Sequence, residues 1–345
     1  MNITKFKLLG WGPYFQQQLT LEEWDHTIPA RIVDFQRSVF SVNTGSEPIT
    51  LSITHHMPAM TVGDWVLLDT DKHFVRLLER TSLFSRKAAG SKVATQLIAA
   101  NVDTVFIVCS MNQDFSLNRI ERYLALSHDA QVEPVVVLTK VDLCSNPDDY
   151  LQAVQALDSL LMVVAVNGLV ADSVSALNPW CGVGKTVALL GSSGVGKSTL
   201  VNTLLGREAQ TTAAIRAGDD EGRHTTTSRS LHQLPQGGLL LDTPGMRELQ
   251  LATSAQAVAG TFADISVLAE NCKFADCQHQ REPGCAVLAA IESGDLEERR
   301  LVSFHKLMRE QALNAATLAE RREQDRKLGK MYRKAQTAHD IKRRD

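Results

Sequence analysis

The stretch Gly191-Ser-Ser-Gly-Val-Gly-Lys-Ser-Thr199 restricts this chain to a narrow set of folds. It fits the pattern Gly, four residues, Gly-Lys-Ser, and it follows the apolar run Thr186-Val-Ala-Leu-Leu190, which reads as a buried strand. After it, Leu200, Val201, Leu204 and Leu205 recur at helical spacing until Gly206. Strand, glycine-rich loop and helix together make a phosphate cradle. The backbone N–H groups of Gly191, Ser192, Ser193, Gly194, Val195 and Gly196 point inward, and the helix N-terminus favours negative charge. Lys197 then reaches the β- and γ-phosphates, the Ser198 hydroxyl holds Mg²⁺, and Thr199 belongs to the same set of nucleotide contacts. A plain glycine-rich turn is the bland alternative; the flanking strand and helix argue against it.

A length of 345 residues suggests roughly two or three domains. Hydrophobic content of 44% and charged content of 22% are those of an ordinary globular protein. The sequence contains no run of ~20 apolar residues and no apolar signal core near its start, so a cytoplasmic location without membrane contact is expected. Residues 1–29 are polar, contain Gly10-Trp11-Gly12-Pro13 and read as a poorly ordered N-terminal arm. Residues 30–82 carry five short alternating runs, Arg31–Phe35, Ser38–Val42, Ile49–Ile53, Asp64–Leu68 and Phe74–Leu78, punctuated by turn residues. That rhythm predicts a small barrel such as an OB-fold, either an oligonucleotide binder or a packing module. Residues 83–101 read as a basic linker. The stretch Arg80–Lys92 has four basic residues and no acid, as a solvated connector or a phosphate-contacting strap would.

Residues 102–250 alternate strand and helix: the runs Thr104–Val108, Pro134–Leu138, Leu161–Ala165, the strand before the phosphate loop, and Gly237–Leu241. Ser116 is placed to cap a helix whose Leu117, Ile120, Tyr123 and Leu124 share a face. The pattern predicts a doubly wound α/β sheet with its motifs at the carboxyl ends of the strands. One such end is Thr139-Lys140-Val-Asp142. A carboxylate suits guanine, because it accepts from N1–H and the N2 amino group together, and the Lys stem packs over the base. Alone this tetrapeptide is weak; beside the phosphate loop it favours GTP, with ATP as the runner-up. Another strand end is Asp242-Thr-Pro-Gly245, in which Asp242 would bind Mg²⁺ through water and the Gly245 N–H would sense the γ-phosphate.

Between these motifs, Ile215–Ser228 is a long polar stretch suited to a switch loop, with Thr226 the expected Mg²⁺ ligand. The guanine motif precedes the phosphate loop, the reverse of the usual GTPase order, so the domain reads as circularly permuted. Met246 stands where a water-orienting Gln would follow the glycine, and a thioether cannot orient water. Either a partner completes the site or His224 substitutes; a plain solvent-exposed loop histidine is the alternative.

Residues 251–345 combine a metal cluster with basic helices. Cys272-x₄-Cys277-x-His279-x₅-Cys285 offers a closed Cys₃His set of the kind that holds structural Zn²⁺, and Pro283-Gly284 lets the chain turn back to deliver Cys285. Clustering of this kind in a cytosolic protein argues for metal rather than disulfides. From Arg321 to Asp345 there are ten Lys/Arg against four Asp/Glu, either a solvated terminus or an RNA phosphate contact.

Taken together, Leu97–Asp103, Gly191–Ser198, Gly222-Arg-His-Thr-Thr-Thr227, Asp242–Gly245, Cys272-Lys-Phe274 and Glu282–Val287 resemble the circularly permuted, ribosome-small-subunit-dependent GTPases (RsgA, also called YjeQ). The resemblance spans about residues 30 to 340. It implies an OB-fold, a permuted GTPase and a zinc domain, GTP hydrolysis with Mg²⁺, and binding to the 30S ribosomal subunit and its 16S rRNA late in maturation. Subunit-stimulated hydrolysis to GDP and release would follow, with His224 as the catalytic residue. Two departures point toward a diverged paralogue: Ala165-Val-Asn-Gly168 replaces a Ser-Ala-type guanine-backing loop, and the N-terminal arm is only weakly basic. A monomer is expected. The competing reading is a nucleotide-gated rRNA-binding scaffold whose hydrolysis is incidental.

Overall fold

Among the described residues eleven strands join into one sheet, although composition divides the chain into separate segments. The computed structural model describes residues 3–36, 39–46, 48–87, 95–206, 229–242 and 254–315. Strands β1 (Ile28–Gln36), β2 (Val39–Asn43), β3 (Ile49–Ser52), β4 (Trp65–Leu68) and β5 (Phe74–Leu77) form the expected small barrel. The long strand β1 is shared: its first half pairs antiparallel with β4 and its second half with β2, and a bulge at Ile32–Asp34 re-aims it between the two. Inward residues Ile32, Phe40, Val42, Val66 and Leu68 fill the barrel.

The N-terminal arm is folded, contrary to expectation. It forms α1 (Ile3–Leu8), α2 (Pro13–Gln16) and α3 (Leu21–His26). Phe6, Leu9, Trp11 and Phe15 are buried with Trp65, Leu67 and Leu78 on the outer face of the barrel. Trp11 meets Trp65 edge-on, with centroids 4.8 Å apart. Helices this short cannot display a helical period, so a few well-spaced aromatics read as loop. Thr20 and Glu23 form a reciprocal capping box on α3, and Glu23 also pairs with Arg76 of β5 at 2.6 Å.

Arg31 of β1 is 1% exposed. Its Nη1 donates to the Leu9 carbonyl (2.5 Å), its Nε to Gly63 (3.2 Å) and its Nη2 to Asn101 (2.9 Å). One guanidinium therefore ties the arm, the barrel and the segment entering the next domain. Burial pulls its pKa down to about 10, with Asp103 and Asp64 opposing the shift, so it stays charged at neutral pH.

The expected basic linker is instead an antiparallel pair, β6 (Leu83–Lys87) with β7 (Thr95–Ala100). Ile98, Ala99 and Ala100 are buried, which makes this stretch core rather than connector. Arg80 is absorbed by the fully buried Asp64 side chain at 2.6 Å, and Arg86 donates to Gln96. Lys92 lies outside the described residues.

The second domain builds β8 (Thr104–Ser110), α4 (Leu117–Asp129), β9 (Glu133–Thr139), α5 (Pro147–Gln155), β10 (Met162–Val166), α6 (Ala171–Val174), β11 (Thr186–Leu190), α7 (Lys197–Leu205), β12 (Arg229–Gln233) and β13 (Leu239–Asp242). Strand order is β10-β9-β8-β11-β13-β12, all parallel except β12. Alternate residues face opposite layers: Val105, Ile107, Val136 and Leu138 pack with α4, while Phe106, Val108, Val135 and Val137 pack with α7. Ser116 sits at the N-cap of α4, yet its side chain makes no capping bond. Strand β12 has too few apolar residues to be legible in the sequence, but it joins the two domains, pairing with β13 and, through Ser230 and Arg229, with Asp34 and Phe35 of β1.

Helices α8 (Ala255–Thr261) and α11 (Glu298–Ala315) pack on α4, while α9 (Ala263–Ala269) packs on α8 and α10 (Ala286–Ser293) on α9. The joint is partly ionic. The Glu121 side chain, wholly buried on α4, accepts from Arg300 at 2.9 Å and Arg299 at 3.0 Å, and Arg300 also pairs with Asp264 of α9. Among the described residues no helix is long and apolar enough to cross a membrane.

Arg31→Leu would strip the Leu9 and Asn101 carbonyls of their donor and leave Gly63 only Asn101 Nδ2, and it is expected to destabilise the chain by about 3 kcal/mol or more, read from chemical denaturation. A second outcome concerns pH. Hydrogen bonding to Arg76, then to the Thr20 N–H, holds Glu23 down at about 2, below the ordinary 4.5. Its folded-state pKa is depressed, so its stabilisation is complete above about pH 4.5 and fades as pH falls toward 2. The melting temperature of Glu23→Gln should lie about 1–3 °C below wild type at neutral pH, and the gap should close on acidification.

Candidate functional site

The carboxyl ends of β8, β9, β11 and β13 gather the sequence motifs on one edge of the sheet. The phosphate loop leaves β11 at Gly191, whose φ of +151° and close approach to the Val108 carbonyl admit no side chain: a Cβ there would lie 2.4 Å from that oxygen. Gly194 and Gly196 also have positive φ, and the loop feeds directly into α7. Val195 is buried beneath the loop, while Ser192, Ser193, Ser198 and Thr199 are less covered. Lys197 folds over the loop and donates to the carbonyls of Gly191 (2.7 Å) and Ser192.

The guanine motif is bonded to this loop. Thr139, at the end of β9, donates its hydroxyl to the Val195 carbonyl at 2.6 Å. Lys140 takes a left-handed conformation (φ +62°) and donates Nζ to the Gly194 carbonyl at 3.0 Å. A non-glycine residue in that region is strained, and here the strain turns the lysine stem toward the phosphate loop. Asp142 follows in the 3₁₀ turn Val141–Leu143 with its carboxylate exposed. Bonds spanning 56 and 54 residues thus draw the two motifs together, with the exposed Asp142 carboxylate beside the glycine-rich loop.

The loop after β10 is fixed to the same cradle. Asn167 accepts from the Leu169 N–H, and the Gly168 carbonyl accepts from Thr203 of α7 at 2.7 Å. A further contact escaped sequence reasoning: Arg119 of α4 donates to the Ser192 hydroxyl at 2.9 Å. The backbone of Asp242 ends β13 beside β11. Gly245, Met246, His224, Thr226 and the whole stretch Ile215–Ser228 lie outside the described residues, as does the basic terminus Arg321–Asp345. Cys109, adjoining the site, is pushed up to about 11 by burial and offers no thiolate at neutral pH.

In the C-terminal part, Cys272, Cys277, His279 and Cys285 converge, all four ligand atoms lying within 4.8 Å of one another. Cys272 Sγ is 3.9 Å from Cys285 Sγ and 3.6 Å from His279 Nδ1, and that nitrogen is 3.4 Å from Cys285 Sγ. Bond lengths of about 2.3 Å to sulfur and about 2.0 Å to nitrogen give tetrahedral edges near those separations, about 3.8 Å and about 3.5 Å. The donor set therefore fits a tetrahedral ion. The chain reverses at Gly284 (φ +77°), as expected, and Glu282 organises the approach, accepting from the N–H groups of Gln278, Gln280 and Arg281. These bonds hold its carboxyl down at about 2.

Comparison with known proteins agrees with this geometry. The sequence profile of the RsgA GTPase family matches residues 77–252. The small ribosomal subunit biogenesis GTPase RsgA 2 of Vibrio parahaemolyticus serotype O3:K6 (strain RIMD 2210633) is 61% identical over 327 residues, covering 95% of this chain and 91% of that protein. The small ribosomal subunit biogenesis GTPase RsgA of Mesorhizobium japonicum is 46% identical, covering 89% and 90%. Among solved structures, YloQ, a circularly permuted GTPase, superposes with a TM-score of 0.61 at 25% identity over 85% of this chain and 97% of that one. YjeQ from Thermotoga maritima shares the fold, with a TM-score of 0.63 at 24% identity over 83% and 99%. The permuted motif order, the cradle that unites those motifs, and these likenesses place the chain in the RsgA family of circularly permuted GTPases.

Proposed function

We propose that this chain hydrolyses GTP to GDP and phosphate while bound to the 30S ribosomal subunit, late in that subunit's maturation, and that the subunit stimulates turnover. The observation that carries this is the bonding of Thr139 and Lys140 to the phosphate-loop carbonyls, which supports reading Asp142 and the loop as one guanine-nucleotide cradle. Support for the ribosomal partner comes from relatives named small ribosomal subunit biogenesis GTPases. When nucleotide enters, Lys197 exchanges its carbonyl partners for the β- and γ-phosphates, and the N–H groups of residues 191–199 surround the anion. Ser198 and Thr226 would hold Mg²⁺ with Asp242 in support, the ion would supply charge neutralisation at the phosphates, and Gly245 would sense the γ-phosphate. His224 orients the attacking water in place of the missing Gln. The Cys₃His set holds one structural Zn²⁺ and is closed to catalysis. The chain works in the cytoplasm as a monomer, meeting 16S rRNA through its basic terminus.

Purified protein should turn over GTP slowly alone and about tenfold or more faster with 30S subunits; equal rates would sink the proposal. Asp142→Asn should move preference from guanosine to xanthosine triphosphate by roughly a hundredfold, because the amide replaces an acceptor with a donor. His224→Ala should abolish the stimulated rate while leaving nucleotide affinity within about twofold. Survival of stimulated turnover in that variant would remove His224 from catalysis. Chelation, or Cys285→Ser, should release one equivalent of zinc by colorimetric assay. Loss of the metal should also unfold residues 254–315 in large part, since such sites contribute on the order of 10 kcal/mol.

A further inference from the structure

Helix α4 touches the phosphate loop at its start and the C-terminal helices along the same turns. Arg119 donates Nη1 to the Ser192 hydroxyl and Nη2 to the carbonyl of Asp114, each at 2.9 Å. The guanidinium is therefore a strut between the β8–α4 turn and the second residue of the phosphate loop. Ser192 is held from its other side by Lys197, which donates to its carbonyl. Just beyond Arg119 on the helix, buried Glu121 accepts from Arg299 and Arg300, and Arg122 pairs with Glu310 of α11. Nucleotide binding requires Lys197 at the phosphates, which frees the Ser192 carbonyl and leaves Arg119 as the side chain that holds this residue. A charge-assisted bond to the hydroxyl fixes the peptide planes on which the phosphate-facing N–H groups are mounted.

We propose that Arg119 is a positioning residue of the phosphate loop, and that through it α4 transmits the seating of α11 to the nucleotide. This rests on the reading of Gly191–Thr199 as the nucleotide cradle. Arg119 is part-exposed, and its partners are a hydroxyl and a turn carbonyl, so its removal leaves the core intact.

The test measures affinities for fluorescent GTP and GDP analogues in the full chain. Arg119→Ala should weaken both nucleotides by about three- to tenfold, with the far-ultraviolet spectrum and melting temperature unchanged. Ser192→Ala should do the same, the double variant should be no worse than Arg119→Ala alone, and Arg119→Lys should recover part of the loss. Arg122→Ala, which frees the α11 end, should weaken binding about two- to threefold, and that effect should vanish in the Arg119→Ala background. Four results would overturn the assignment: wild-type affinity in Arg119→Ala, multiplying losses in the double variant, a loss confined to GTP, or an Arg122→Ala effect that ignores residue 119. A loss confined to GTP would mean direct γ-phosphate contact instead. Lys197→Ala serves as the reference. If that variant still binds nucleotide, the cradle itself is misassigned; if it does not while Arg119→Ala binds normally, only the role of Arg119 fails.

Discussion

The structure depends on a cation buried where three segments meet. Arg31 finds its partners in main-chain carbonyls of the arm, the barrel and the entry to the GTPase domain. A charge removed from water is tolerable only when its donors are matched, and here the matching acceptors exist only if all three segments are in place. The bond set is thus conditional on the whole: none of the three segments could satisfy Arg31 alone. Gly10 shares in this, since a Cβ at that position would lie 2.5 Å from the Arg31 guanidinium. The Gly10-Trp11-Gly12-Pro13 turn, which resembles a loose leader in sequence, is shaped by the need to admit an arginine from below.

The same principle recurs at the other joint. Glu121 on α4 is buried with Arg300, and Arg300 also satisfies the carbonyls of Leu157 and Thr261 and the carboxylate of Asp264. Apolar packing would hold the C-terminal helices against α4 at many registers; a buried ion pair with fixed acceptors favours one. In a permuted GTPase this matters, because among the described residues those helices are the elements that follow β13. Helix α4 carries contacts to both the phosphate loop and the C-terminal set, so it lies between the two ends of any signal.

Much of the architecture was legible. Strands buried on both faces, such as Thr104–Ser110 and Thr186–Leu190, show as continuous apolar runs, and the barrel strands show as alternation. The motifs that meet at the sheet's carboxyl edge were legible too, because each sets particular residues at fixed spacing, and so was the Cys₃His cluster. What escaped was structure held by few residues or by distant partners. The arm is built from four- and six-residue helices anchored by isolated aromatics. The β6–β7 pair hides behind the basic residues Arg80 and Arg86, which bond to Asp64 and Gln96. Strand β12, Arg229-Ser-Leu-His-Gln233, has a single apolar side chain and exists because a neighbouring edge receives it. Arg119 acts through a bond to Ser192, a residue that no local pattern places beside it.

Strand β12 carries a consequence for how the molecule can be divided. It is occupied by β13 along one side and, near its start, by β1 of the barrel on the other. The barrel therefore serves as the edge cover of the GTPase sheet, closing a border that a free domain would have to protect with charge, proline or a bulge. Cutting the chain between the two would expose unpaired backbone donors and acceptors and invite self-association. Barrel and GTPase are separate in composition, yet as a sheet they form a single object.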